Sequence, residues 1–313
     1  MKPKIIFFGT PNFAVGVLDE IKQRHYIIDA VVSSPDRKSG RGRKIKYSAV
    51  KDYCLNNNIK LYQPESLKEK SFILTLKEHQ SDLFVVVAFR MIPKVVWSIP
   101  KLGTFNLHAS LLPKYRGAAP INWVIINQEK VTGLTTFLID EKIDTGKILL
   151  KSEYQINKNE TFDSLHDNLL QIGKILIIDT IQSLYQGKSS PIKQDNYSQK
   201  IAPKLTRENT RINWNNSLSQ IISFINGLNS YPGAWSQIIE NEIINTFKIF
   251  ESDSEYTNHN HKNNQLLVVD KQIKISHKQG FLIIKNLQLS NKKRLSSQEL
   301  LNGHGFNMNV FVQ

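Results

Sequence analysis

The tightest constraint on the fold is a pattern of short, continuously apolar runs, each followed by a stretch with helical spacing. Residues 5–8, 27–32 and 83–88 are apolar at nearly every position rather than at alternate ones. Strands of that kind hide both faces. Between them, residues 13–21 and 50–57 repeat apolar side chains at helical spacing. Buried strands alternating with helices make a doubly wound, mainly parallel α/β sheet. At the first junction, Gly9-Thr10-Pro11-Asn12 predicts a tight turn, with Thr10 as N-cap and Pro11 at the first helical position. One glycine without a Walker lysine is a structural turn, so neither ATP nor NAD is expected there.

Further along, residues 104–106 end a strand, 118–126 read as a helix with Pro120 in its first turn, and 133–139 read as a strand. Residues 161–185 give the clearest long helix, with Leu165, Leu169 and Leu176 on one broad face. It closes a first domain, 1–188. Residues 189–208 are rich in Lys, Ser, Gln and Pro and read as a linker. In the remainder, 209–313, a helix at 217–228 precedes short strands at 234–239, 243–250, 265–269, 272–276 and 281–289. That spacing suggests a small β-barrel of the oligonucleotide-binding kind.

The single cysteine, Cys54, excludes an intramolecular disulfide and a Cys-rich zinc site, and fits a reducing cytoplasm. The start lacks a signal-peptide core, and no apolar run approaches the ~20 residues of a membrane-spanning helix. A cytoplasmic monomer that contacts neither membrane nor DNA is expected. The net charge is +14, which alone fits a polyanionic partner or a solubility device. Two segments hold most of the surplus. Residues 36–46 carry six basic residues, one acid and two glycines. They read as a flexible arm, with Arg37, Arg41, Arg43 and Lys44 as phosphate contacts. Residues 271–294 carry seven basic residues and no acid, with Lys274, Lys278 and Lys285 interleaved along strands. That stripe suits phosphate tracking, though each segment also reads as a solvated basic face. The two histidines at 258–261 have no further ligands nearby in sequence, so they are expected to be solvated and no metal is expected.

Asn106 and His108 stand two apart at the carboxyl end of a strand, so their side chains point the same way. Ligands of open α/β sheets bind at that end. Asp144 lies in a Gly-punctuated loop after another strand and can converge on the same crevice. An amide, an imidazole and a carboxylate together suit group transfer in which a carbonyl oxygen gains charge. Taken singly, each also reads as a turn former or a local hydrogen-bonding residue.

The run Asn106-x-His108-x-Ser110-Leu111-Leu112-Pro113-x-x-Arg116-Gly117, followed by Asp144-Thr145-Gly146, resembles the signature of the formyltransferases that use 10-formyltetrahydrofolate. Phe8-Gly-Thr-Pro11, Ser34-Pro-Asp-Arg37, Gly117-Ala-Ala-Pro120, Arg211-Ile-Asn-Trp214 and Tyr231-Pro-Gly-Ala-Trp235 extend it towards the branch acting on methionyl-tRNA, across nearly the whole chain. The resemblance implies a Rossmann-like catalytic domain and a barrel that binds tRNA. It also implies formyl transfer from 10-formyltetrahydrofolate to initiator methionyl-tRNA, with Asn106, His108 and Asp144 as the catalytic trio. Ser110, Leu111, Leu112 and Pro113 would form part of the folate wall, and Arg41 a contact to the acceptor stem. Alternatives are a folate-dependent formyltransferase acting on a sugar nucleotide or a glycinamide, a hydrolase of the donor, and a non-catalytic tRNA-binding relative. Two departures stand out: Arg90 where the family usually has Gly, and Asn213 where it has Asp.

Overall fold

The computed structural model describes residues 2–39, 44–195, 200–307 and 309–313. The chain runs β1 (Lys4–Gly9), α1 (Asn12–Gln23), β2 (Ile27–Val32), β3 (Arg37–Ser39), β4 (Lys44–Lys46), α2 (Ala49–Asn56), β5 (Leu61–Tyr62), α3 (Lys70–Glu78), β6 (Leu83–Val87) and α4 (Lys94–Trp97). There follow β7 (Thr104–His108), β8 (Arg116–Gly117), α5 (Pro120–Ile126), β9 (Val131–Leu138), β10 (Ile148–Gln155), α6 (Phe162–Tyr185), β11 (Ile201–Ala202) and α7 (Leu218–Leu228). The last part holds β12 (Ala234–Glu240), β13 (Ile243–Tyr256), β14 (Gln265–Val269), β15 (Gln272–His277), β16 (Gly280–Leu289), β17 (Leu295–Ser296), α8 (Ser297–Leu301) and β18 (Val310–Val312).

Packing divides the chain into two compact units that are not consecutive stretches. Met1–Gly117, Val131–Gln155 and His166–Ile201 form the first; Ala118–Lys130, Ile156–Leu165 and Ala202–Gln313 form the second. In the first, seven strands pair in the order β10-β9-β7-β6-β1-β2-β5. β5, β2, β1, β6 and β7 are mutually parallel, while β9 and β10 run antiparallel. The order reverses between β1 and β6, so a crevice opens at the carboxyl ends of those strands. All five residues of β6 are buried, as its unbroken apolar run requires. Helix α6 lies close to the sheet because Gly173 faces Leu107 and Leu134, where a Cβ would already meet side chains at 3.3 and 3.4 Å.

In the second unit β13, β12, β18, β14, β15 and β16 pair antiparallel in that order, and β16 pairs back to β13 to close a barrel. β18, three residues at the end of the chain, completes the ring. Phe247, Ile249, Ile275 and Leu282 fill its interior with Ile221 and Ile225 of α7 against them. Helix α7 opens on a capping box of Ser217 and Gln220. No helix among the described residues is long and apolar enough to cross a membrane.

Two local expectations are corrected. Thr10 is not the N-cap: Pro11 holds that position in extended conformation, and the Thr10 hydroxyl lies 3.1 Å from that of Ser34. The segment expected as a linker is packed in its first half, where Ile192 bridges to Ile148 and Gln194 is buried.

Gly133 in β9 has no room for a side chain, since a Cβ would lie 2.0 Å from the Ser152 carbonyl oxygen of the paired strand. Gly133→Ala is expected to cost about 3 kcal/mol by forcing the two strands apart. Urea unfolding of the full chain measures it, and an unchanged midpoint would contradict that packing.

Candidate functional site

Strand β7 delivers Asn106 and His108 to the crevice on the same face. Asp144 arrives by a longer route. β9 is antiparallel to β7, and Phe105 pairs with Leu138, so the β9–β10 connection leaves the sheet beside the start of β7. It folds back to bring Asp144 Oδ2 within 3.8 Å of His108 Nδ1. Both side chains are largely buried, at 6% and 14% exposure. His108 and Asp144 are therefore brought together, with Asn106 two residues before His108 on the same strand.

Backbone groups of residues 109–117 fix the pair. His108 Nε2 lies 2.9 Å from the Tyr115 carbonyl oxygen. That oxygen can only accept, so Nε2 carries the hydrogen and Nδ1 faces Asp144. The Gly117 amide donates to Asp144 Oδ2 at 2.9 Å. Asn106 Oδ1 is buried with no hydrogen-bond partner among the described residues. An orphaned buried acceptor costs about 1–3 kcal/mol, which leaves Asn106 Oδ1 available to a further donor.

The residues expected as a folate wall divide in two. Ser110 is buried, and its hydroxyl donates to the Lys114 carbonyl at 2.7 Å. Leu112 is buried against Phe137 and Ile148, and its amide donates to the Thr135 hydroxyl at 3.0 Å. Thr135 in turn donates to the Ser110 carbonyl at 2.7 Å, stitching the loop to β9. Leu111 and Pro113 remain partly exposed. Arg90 turns its guanidinium onto the carbonyls of Pro64 and Glu65, at 2.5 and 2.8 Å. Burial lowers its pKa below the usual guanidinium value, with Glu65 opposing the shift.

Gln194 was not singled out by the sequence. It is 5% exposed, and its Nε2 donates to the carbonyls of Asp144 and Gly146 at 3.0 and 2.7 Å. Its Oε1 accepts from Arg116 Nε and Nη2 at 3.2 and 2.7 Å. One amide thus brackets the Asp144 loop to Arg116. A lone Gln in a polar stretch gives no signal of this in a single sequence.

The basic segments also differ from expectation. The described ends of the 36–46 segment pair as a hairpin, with Arg37 opposite Lys46. Arg37 is exposed; Arg41 and Arg43 lie outside the described residues, and Lys44 is placed by its backbone in β4. At the base, Asp36 accepts from Lys51 and Gln63, and these bonds, Lys51's foremost, hold its carboxyl below the usual range. In the barrel, Lys274 pairs with Glu255 at 2.6 Å and Lys285 with Asp253 at 3.2 Å. The stripe is acid-free along the chain but not across the sheet, because β13 brings carboxylates to β15 and β16. Lys278 stands exposed in the turn between those strands. His259, expected to be solvated, lies 2.8 and 3.0 Å through Nε2 from the carbonyls of His277 and Gly280, with its ring 4.5 Å from that of Phe281. Among the described residues no group of three His, Cys, Asp or Glu could hold a metal ion.

Residues 3–181 match the family described as formyl transferase, and residues 204–305 the one described as formyl transferase, C-terminal domain. A methionyl-tRNA formyltransferase of Flavobacterium johnsoniae is 49% identical over 306 residues, covering 97% of each chain. The enzyme of that name in Bacteroides thetaiotaomicron is 42% identical over 98% of each chain. Among solved structures, the sugar 3N-formyl transferase WlaRD, crystallised with dTDP and 5-N-formyl-THF, matches with a TM-score of 0.63 and 26% identity, over 94% of this chain and 100% of that one. HypX from Aquifex aeolicus in complex with tetrahydrofolic acid shares the fold, with a TM-score of 0.67 at 17% identity over 96% of this chain and 47% of that one.

Gln194→Ala would leave the Asp144 and Gly146 carbonyls and the Arg116 guanidinium without this partner. A loss of about 2 kcal/mol in unfolding free energy is expected. Gln194→Glu keeps the acceptor for Arg116 but cannot donate to the carbonyls, so it should not restore stability. A wild-type urea midpoint in Gln194→Ala would show that the bracket contributes nothing.

Proposed function

Since the chain belongs to the formyl transferase family, we propose that it transfers the formyl group of 10-formyltetrahydrofolate to the amino group of initiator methionyl-tRNA. The product is N-formylmethionyl-tRNA for translation initiation, made in the cytoplasm by a monomer. Residues 1–188, with the packed first half of the 189–208 connection, supply the chemistry, and the barrel of 209–313 binds tRNA together with the 36–46 segment. The observation that carries this reading is the approach of His108 to Asp144 beside Asn106 of the same strand, whose buried Oδ1 has no hydrogen-bond partner among the described residues. Full-length relatives at 42 and 49% identity bear the methionyl-tRNA name, whereas the sugar N-formyl transferase likeness stands at 26%. The acceptor is therefore an aminoacyl ester rather than a sugar amine.

The donor supplies a formyl carbonyl that the amine attacks; the bond from the formyl carbon to donor N10 then breaks, the proton that the amine loses passes to N10, and tetrahydrofolate leaves. Asn106 is placed to donate its amide hydrogens to the formyl oxygen as that oxygen gains charge, while Oδ1 accepts from the incoming amine. A free α-amine titrates at about 7.7–8.0, so obtaining it neutral near pH 7 costs only about 1 kcal/mol. A strong base is not the main need. Losing one oxyanion donor typically costs about 3–4 kcal/mol, which makes charge stabilisation the larger effect. In His108, Nε2–H is committed to the Tyr115 carbonyl, leaving Nδ1 to exchange a proton with the reacting groups. The Asp144 carboxylate, 3.8 Å from Nδ1, offsets the charge the ring then gains. Leu111 and Pro113, the partly exposed members of the 110–113 run, present its apolar surface to the pterin, with Ser110 and Leu112 holding the run in shape. Arg37, Arg41, Arg43, Lys44 and Lys278 contact phosphates. Lys274 and Lys285, answered by carboxylates, contribute less.

Asn106→Ala should lower kcat/KM for methionyl-tRNA about 10²–10³-fold. His108→Ala and Asp144→Ala should also collapse turnover, and all three should leave tRNA affinity near wild type. The assay is formylmethionine released on deacylation. Near-normal turnover in all three variants would overturn the assignment, and transfer to another amine with none to methionyl-tRNA would overturn the substrate.

A further inference from the structure

The cations of the second unit are distributed in two ways. Those of the 271–294 stripe that lie on strand positions, Lys274 and Lys285, are paired with Glu255 and Asp253. A second group gathers elsewhere, around an open cleft of about 530 Å³ bounded by residues 205–210, the turn at 231–235 and facing parts of β13 and β16. That volume lies within the range of sites that enclose small ligands. Arg207 and Lys248 line it, and among the described residues no Asp or Glu does.

Cations and rings interleave here. The Trp235 ring is approached by the Arg207 and Arg211 guanidinium groups, 5.0 and 5.4 Å from its centroid. Trp235 Nε1 donates to the Arg207 carbonyl at 2.6 Å, which fixes the indole, and Arg211 Nη2 donates to Gln237 Oε1 at 3.0 Å. Lys248 Nζ donates one hydrogen to the Pro232 carbonyl at 2.7 Å, which anchors the ammonium at the cleft and leaves its other hydrogens for a ligand. No ion pair joins Arg207, Arg211 or Lys248 to a carboxylate among the described residues. Glu208, the neighbouring acid, is turned back on its own backbone amide and Thr206, contacts that, with a smaller attraction from Arg207, hold its carboxyl below the usual range. Tyr231, also lining the cleft, is 81% exposed. An aromatic ring left in water beside anchored cations presents a π-face and positive charge together.

We propose that this cleft is a nucleotide-binding site that holds one unpaired nucleotide of the bound tRNA, with its base on the Tyr231 ring and its phosphate at Arg207 and Lys248. The inference rests on the tRNA reading above and moves the barrel's main phosphate contact from the 271–294 stripe to this cleft. A base needs a ring face and a phosphate needs fixed cations free of carboxylates, and the cleft offers both. An acidic peptide would use the cations but leave the Tyr231 face idle.

The test uses the full chain. In steady-state formylation, Tyr231→Ala should raise KM for methionyl-tRNA about tenfold, with kcat at saturation within about twofold of wild type. Tyr231→Phe, which keeps the ring face, should restore KM. Lys248→Gln should reduce the slope of log affinity against log salt by about one contact's share, roughly 0.7–0.9. Wild-type KM in Tyr231→Ala together with a wild-type slope in Lys248→Gln, while the parent enzyme still makes formylmethionyl-tRNA, would overturn the cleft and leave the enzyme reading intact. A parent enzyme that makes no product would overturn that reading instead. The same variants compared by equilibrium tRNA binding then decide the cleft by itself, equal affinities counting against it. A parallel loss of affinity for polyglutamate in Tyr231→Ala would assign the surface to acidic peptides and overturn the nucleotide.

Discussion

The geometry of the His108–Asp144 site depends on how the chain leaves β7. Between residues 109 and 117 it turns back on itself, so that the Tyr115 carbonyl meets His108 and the Gly117 amide meets Asp144. Two backbone groups two residues apart thereby set the orientation of both titratable side chains. This return has a conformational cost. Tyr115 and Asp144 are non-glycine residues held at φ 61° and 55°, in the left-handed region, where a residue of either kind is disfavoured by about 1 kcal/mol or more. The surroundings offset that cost. The Tyr115 ring is buried, its amide donates to the Lys200 carbonyl at 2.7 Å, and Gln194 holds the carbonyl of Asp144. Backbone conformations of this kind persist where neighbouring contacts over-determine them, and here those contacts surround the site.

The sheet supplies the other half of the positioning. β7 sits between the parallel β6 and the antiparallel β9, so its backbone is bonded on both sides and Asn106 and His108 are carried on a rigid element. Thr135 opposite His108 on β9 then ties down the following loop through two hydrogen bonds. Donors meant for charge that appears only during reaction must be in place beforehand, because reorientation at that moment would consume the stabilisation they give. A strand, a stitched loop and a bracketed carboxylate meet that condition with few mobile parts.

Much of this architecture is legible in the sequence because it follows from local patterns. The continuous apolar runs give the strands, the helical spacing gives α1, α2 and α6, and the two-residue offset of Asn106 and His108 gives their shared face. What escapes is whatever depends on distant pairing. Gln194 looks like linker because nothing near it in sequence marks it, yet its partners are 48 to 78 residues away. β18 is three residues long, too short for a periodic signal, and becomes a strand only because β12 and β14 leave a gap between them. Thr10 has the side chain of an N-cap but finds Ser34 instead, while Pro11 takes the cap position by its extended backbone.

Charge obeys the same distinction between chain and space. A run of basic residues without an acid reads as a free positive surface only if its neighbours in space match its neighbours in sequence. In an antiparallel barrel they do not. Register places Ser254 opposite Leu282 and Lys274 opposite Ile283, so the acids of β13 come within reach of lysines that sit tens of residues further along. A paired lysine holds less attraction for a phosphate, because the incoming anion must compete with a carboxylate already in place. The cations less offset are those with no ion pair to a carboxylate among the described residues, held instead beside rings and carbonyls. Arg207 and Arg211 beside Trp235, Lys248 on the Pro232 carbonyl and Arg294 over Phe250 at 4.3 Å are of that kind. A ring face restrains a guanidinium without neutralising it. The useful part of a surplus of +14 is therefore decided by which side chains the barrel's closure brings beside each cation, more than by how many cations the chain contains.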